Sequence, residues 1–156
     1  MDPSELTTYL HDHIPLTAAM GLTTAAAEPE RVALDLPLAA NRNHKGTMFG
    51  GSLAALATLA CWSLIHVRMR KDQLAGDLVV SRSTMAYTAP VLDACQARCV
   101  FADEAAWDKC RRLLLRRGRS RMELTSELFS DGQSVATFSG EFGIVTADAL
   151  ADTERR

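Results

Sequence analysis

Residues 48–67, MFGGSLAALATLACWSLIHV, decide the fold of this chain. Ala, Leu and Ser dominate the stretch, which favours helix over strand. Leu53, Leu56, Leu59, Ala60, Trp62, Leu64 and Ile65 cover nearly every face of that helix. A helix that is apolar all round either sits inside a fold or crosses a membrane. The length is borderline for a span. Gly50, Gly51, Ser52, Thr58, Ser63 and His66 dilute its hydrophobicity, and its four alanines add little. The expectation is a buried central helix and no membrane span.

Strand patterns lie on both sides of it. Val32, Leu34, Leu36 and Leu38 alternate with Arg31, Ala33, Asp35 and Pro37, the pattern of a half-buried strand. Residues 20–27 are its expected hairpin partner across Glu28-Pro29-Glu30, and residues 39–47 form a polar loop. Downstream, residues 78–87 are rich in β-branched side chains and end before Pro90. Residues 94–101 predict another strand. Residues 103–115 predict a short helix capped by Asp103, and residues 116–121 a basic connector containing Gly118. Residues 121–129 and 134–145 are two strands joined at Ser130-Asp131-Gly132-Gln133, where Asp-Gly is a strong hairpin signal. At the N-terminus, Asp2 or Ser4 caps a helix running to about His13.

Strands grouped around one long helix predict an α+β fold with a mostly antiparallel six-stranded sheet. Residues 1–147 form one domain, followed by a polar, fraying tail over 148–156. One sheet wrapped on one helix leaves a sheet edge and a helix face uncovered, for which dimerisation is the usual remedy.

The chain has 156 residues, 47% of them apolar and 23% charged, and a formal net charge of −2. It is too apolar for a disordered chain and too evenly charged for a nucleic-acid protein. Four cysteines are too few for a disulfide scaffold, and no second Cys pair or His cluster completes a zinc site. They are read as small buried or half-buried thiols in a reducing cytosol. The N-terminus has neither a basic nor an apolar signal region, so it is not read as a secretory signal. The charges are unevenly placed. No Asp or Glu occurs between Asp35 and Asp72, whereas residues 109–121 hold seven of the 17 basic residues and no acid.

The string Asn43-His44-Lys45-Gly46-Thr47-Met48-Phe49-Gly50-Gly51-Ser52 is similar to the Asn-x-x-Gly-x-x-His-Gly-Gly motif of phenylacetyl-CoA-type thioesterases. Its fuller wording is closer still to one hotdog-fold subfamily: Lys-Gly-Thr, Phe-Gly-Gly-Ser-Leu and a Leu-Ala-Thr-Leu-Ala-x-Trp helix. That subfamily is a thioesterase domain found alone or behind an acetyltransferase domain in bacteria. Tyr87-Thr88-Ala89-Pro90-Val91 and Asp131-Gly132…Gly140-x-Phe142 fit it too. The resemblance covers about residues 14–146. It implies a cytoplasmic homodimer or tetramer of hotdog fold that hydrolyses acyl-CoA or acyl-carrier-protein thioesters in fatty acid metabolism. The alternative it leaves open is a non-hydrolytic thioester-binding or dimerisation module.

The resemblance also implies roles. Gly51, at the helix N-terminus, offers its amide to the thioester carbonyl. Asn43 stands at the position of the family's catalytic Asn. Phe49, however, replaces the motif's His, and Thr58 falls where relatives carry a catalytic Asp or Glu. A Thr hydroxyl holds water but is a very poor base at neutral pH, which leaves three repairs open: His44, ahead of His66, as base; an acid entering from another strand or the partner subunit; or a water held only by neutral groups, with slow turnover. Phe49, Gly50, Ser52 and Tyr87 are expected to line the substrate site, with Phe49 in the core or tunnel wall. Arg117, Arg119 and Ser120 are expected to bind the phosphates of coenzyme A or phosphopantetheine, either of which enters as part of the substrate. No motif implies a metal or a separate cofactor.

Overall fold

The computed structural model describes residues 1–154. Five α-helices and six strands follow in order, with one 3-10 turn: α1 Pro3–His13, α2 Pro15–Met20, β1 Thr23–Glu28, β2 Arg31–Leu36, the turn Ala39–Asn41, α3 Gly50–Lys71, β3 Asp77–Tyr87, β4 Cys95–Val100, α4 Glu104–Arg117, β5 Arg119–Ser130, β6 Gln133–Val145 and α5 Ala147–Glu154. The strands make one sheet in the order β1-β2-β4-β5-β6-β3, antiparallel at every pairing.

The sheet wraps α3, as the apolar stretch predicts. Leu56, Ala57, Ala60, Cys61, Leu64 and Ile65 are fully buried on it. Each large aliphatic side chain buried this way contributes about 1.5–3 kcal/mol. The helix is long and apolar enough to cross a membrane, but 56% of its most hydropathic window lies inside the fold. Its less buried stripe runs through Gly51, Ala55, Thr58, Trp62 and His66. Helix α1 covers the far part of that stripe: Tyr9 stacks on His66 at 4.5 Å and on Trp62 at 6.3 Å between ring centres.

The capped ends agree with the sequence. Asp2 accepts from the Ser4 amide at the start of α1, and Asp103 from the Ala105 amide at the start of α4. Asp131 and Gly132 both take positive φ (50° and 74°), which the two-residue turn between β5 and β6 requires.

Three local expectations need correction. The strand preceding the Glu28-Pro29-Glu30 turn starts at Thr23, because residues 15–20 form α2, closed by Gly21 in the left-handed region. Residues 116–121 are not a connector. Helix α4 continues to Arg117, Gly118 closes it at φ 67°, and β5 begins at Arg119. A charged residue on every second position hides that strand. Finally, the expected polar tail is helical from Ala147 to Glu154, and a side chain at Gly118 would strike Ala149 of this helix at 2.8 Å. Arg155 and Arg156 lie outside the described residues.

All four cysteines are free and buried, as expected. Burial, with a smaller contribution from Asp35, pushes the Cys95 thiol up to about 11. Cys99 on β4 is held up further by its hydrogen bond with Cys61 on α3 and by burial. Among the described residues, no cluster of His, Cys, Asp or Glu is placed to hold a metal.

Candidate active site

The loop before α3 is stitched to its surroundings on both sides. The Met48 amide donates to the Val91 carbonyl (2.8 Å), and the Phe49 amide to the Asn41 carbonyl (2.7 Å). Asn41 is itself buried, and its Nδ2 donates to the carbonyls of Met20 and Pro37, both at 2.8 Å. These bonds fix where the chain enters α3.

The first intrahelical bond runs from the Leu53 amide to the Phe49 carbonyl, 3.1 Å. The amides of Gly50, Gly51 and Ser52 precede it, and no side chain caps them. They point out at the positive end of a 22-residue helix dipole. Tyr87, at the end of β3, reaches across and donates its hydroxyl to the Gly50 carbonyl at 3.0 Å. A pocket of about 370 Å³ opens there, lined by Met48, Gly50, Leu53, Tyr87, Pro90 and Val91. Free amides beside an apolar slot can hold a carbonyl oxygen as negative charge builds on it. A hollow of about 790 Å³ on the outer sheet face, lined by Thr84, Arg98, Thr125 and Phe129 among others, does not include the start of α3.

Phe49 departs from its expected place in the core or tunnel wall. It is 57% exposed, and its ring lies against Gly51, so that a Cβ there would come within 2.2 Å of it. The glycine admits that ring as well as a ligand.

Asn43 and Thr58 are both half-buried and both engaged locally. Asn43 Nδ2 donates to Thr47 Oγ1, and Asn43 Oδ1 accepts from the Lys45 amide, each at 2.8 Å. Its backbone closes the same turn with Thr47. Thr47 is the partner that the motif does not reveal, although a Thr four residues after an Asn is a readable turn signal. Thr58 donates its hydroxyl back to the Ala54 carbonyl at 2.8 Å, a common habit of helical Thr. Ser52 is half-buried, and His44 is exposed on the loop tip. His66 stands apart from the α3 N-terminus, in the stack with Tyr9 and Trp62; burial, then Arg70 and His13, lower it to about 4.

The basic segment is elsewhere. Lys109, Leu113 and Arg117 of α4, with Arg119, Arg121, Val79 and Val145, line a cleft of about 620 Å³. Ser120 lines the same cleft, although strand alternation turns its side chain inward beside Cys110, away from those of Arg119 and Arg121. Arg119 is paired with Val145, and Val145 with Asp77, at the start of β3. Tyr87 and Gly50 are at its other end. From Ser81, the β3 residue of the cleft lining nearest that end, to Tyr87 is six residues, about 20 Å of strand.

The protein family described as "Putative thioesterase (yiiD_Cterm)" matches residues 3–146 of the chain. Among solved structures, a protein of unknown function from Chlorobaculum tepidum TLS superimposes with a TM-score of 0.88 at 28% identity, covering 92% of this chain and 94% of that one. A putative thioesterase from Shewanella oneidensis gives 0.81 at 27% identity, covering 92% and 96%. A mutant of the phenylacetic acid degradation protein PaaI from Thermus thermophilus shares the fold, with a TM-score of 0.62 at 24% identity over 84% and 98%.

Proposed function

This chain belongs to that thioesterase family, a group of thioester hydrolases with the hotdog fold, and we propose that it cleaves acyl thioesters at the N-terminus of α3. The observation that carries the proposal is the uncapped first turn of α3, whose Gly51 amide faces out beside the Tyr87–Gly50 contact.

In this proposal the thioester oxygen accepts from the Gly51 amide. Water adds to the carbonyl carbon, the C–S bond breaks, and the thiolate leaves to collect a proton. Asn43 and Thr58 position the water by exchanging one local bond each. His44, free on the loop tip, takes the proton the water gives up. No Asp or Glu lies on α3, so neutral groups and a His carry this work, and turnover is expected to be slow.

The acyl and pantetheine arms set a second requirement. The basic cleft and the start of α3 lie towards opposite ends of β3 of the same chain. Strand β3 is a sheet edge, with Val79 and Val80 exposed at 55% and 43%. Pairing β3 antiparallel with β3 of a second copy brings the start of one strand beside the end of the other. We therefore propose a homodimer in which one copy polarises the carbonyl and the other's Arg117, Arg119 and Arg121 meet the phosphates. A tetramer would pair two such dimers. The proposed setting is the cytoplasm, with coenzyme A or phosphopantetheine arriving as part of the substrate.

The test is thiol release from acyl-CoAs of several chain lengths, with binding heat measured in parallel. Release that is lost in Asn43→Ala supports the proposal. Tight binding without release would point to the non-hydrolytic alternative and sink it.

A further inference from the structure

We propose that Tyr87 is a positioning residue for the reaction: its hydroxyl fixes and polarises the one peptide group whose N–H is the Gly51 amide. This rests on the thioesterase proposal above and names the side chain that sets how strongly that amide donates.

The Gly50 carbonyl and the Gly51 amide are two ends of a single peptide group. No peptide bond is cis among the described residues, so the two point in opposite directions. The Tyr87 hydroxyl donates to the carbonyl end at 3.0 Å. The amide end stays open for a thioester oxygen, because no side chain caps the first turn of α3. Phenol, peptide and thioester thus form one chain of hydrogen bonds, and the bonds of such a chain strengthen one another by about 10–30% each. Electron density drawn towards the Gly50 oxygen leaves the Gly51 N–H more positive. No proton leaves the phenol. The carbonyl oxygen has a second lone pair, so the helix keeps its own acceptor.

The fold holds the phenol at this carbonyl. Tyr87 ends β3 opposite Ala136 of β6, and the next two amides, of Thr88 and Ala89, both donate to the Val135 carbonyl, at 2.9 and 3.2 Å. The ring also packs on Gly50, where a Cβ would stand 3.5 Å from it. Tyr87 is 52% exposed, so its hydroxyl could bond to water instead, and folding does not require this contact. The contact presets a peptide for negative charge that builds only in the transition state. Thr58 makes a similar bond to the Ala54 carbonyl, but the amide of that peptide, on Ala55, lies past the first turn and is spent inside the helix. Tyr87 acts on an amide that is still free.

The test follows octanoyl-CoA hydrolysis by the full chain in Tyr87→Phe and in chains carrying fluorotyrosines of rising acidity at position 87. All are assayed at a pH where every phenol keeps its proton. One oxyanion donor is worth about 100- to 1,000-fold in kcat, and about 10–30% of that free energy is about two- to eightfold. Tyr87→Phe is expected to lose this factor in kcat, with KM within about twofold of the parent and the thermal midpoint unchanged. Along the fluorotyrosine series kcat is expected to rise, since the donor strengthens while the ring keeps its shape. A second readout needs no substrate. The NMR signals of the Gly50 carbonyl carbon and the Gly51 amide nitrogen are expected to move upfield in Tyr87→Phe and downfield along the series. Signals that ignore the phenol, a kcat that is flat along the series, or a loss carried by KM alone overturn the proposal. The last result would make Tyr87 a direct substrate contact. If the parent hydrolyses no thioester, the hydrolysis proposal fails, while the NMR signals still decide whether Tyr87 polarises the Gly51 amide.

Discussion

The Phe49 ring rests on the α-carbon of Gly51, in the space that any other residue at 51 would need. Gly51→Ala therefore pushes the ring outward. Its outer atoms are exposed, so the movement is cheap, and Ala regains about 0.5–1 kcal/mol of helix propensity. The expected outcome is a thermal midpoint close to the parent's with turnover reduced about tenfold or more. Adding Phe49→Ala to Gly51→Ala removes the clash, and a double-mutant cycle on turnover reports the coupling.

Asn43 and Thr47 make a second separable pair. Asn43→Ala loses both side-chain bonds of the turn, at a cost of about 1 kcal/mol in stability, together with the proposed water contact. Thr47→Val breaks only the Nδ2 bond and leaves the Asn43 amide free. Hydrolysis is expected to disappear in the first variant and to be kept or raised in the second, read by thiol release. Equal inactivation of both would mean that Asn43 serves the turn alone.

His66 predicts a pH response. In the fold its pKa is lowered from 6.5 to about 4, first by burial and then by Arg70 and His13. The unfolded chain therefore takes up the proton first. The contribution is fully present above about pH 6.5 and is lost as the pH falls from 6.5 towards 4. The depressed carboxylates Glu28, Glu104 and Glu141 lose theirs below this window, near and under their ordinary value. His66→Phe keeps an aromatic ring between Tyr9 and Trp62. Urea unfolding of that variant is expected to vary less between pH 6.5 and 5 than that of the parent.

Arg68 and Glu104 tie α3 to α4 unequally. The guanidinium is 6% exposed, bonded to the Pro29 carbonyl and to Glu104, and lies 4.3 Å from the centre of the Phe101 ring. The Glu104 carboxylate is 67% exposed. Glu104→Gln leaves a buried cation short of its counter-charge, whereas Arg68→Met removes the charge and leaves a solvated acid. Glu104→Gln is expected to lower the denaturant midpoint more than Arg68→Met does.

The larger elements are readable because each has a repeating pattern or a punctuating residue. Helix α3 shows in its composition, the β5–β6 hairpin in Asp131-Gly132, and α4 in Asp103. Helix α2 escapes the sequence because its six residues are too few for a helical period. The start of β5 escapes it because outward Arg119 and Arg121 flank a buried Ser120, which carries no apolar signal. At the site, the motif locates Gly50, Gly51 and Asn43 but not their surroundings. The Tyr87–Gly50 bond and the distance from the basic cleft depend on where β3 starts and ends. Phe49 misleads because hydrophobicity alone suggests the interior, and the helix cap points its ring outward.

Cys61, Cys95, Cys99 and Cys110 are each no more than 3% exposed. The folded surface thus presents no thiol to a reagent, and every labelling event must wait for an opening. Counting modified sulfurs over time turns the chain into a clock of its own breathing, with Cys61 and Cys99 marking when α3 lifts from the sheet. The same blank surface lets one introduced cysteine carry a dye without competing sites.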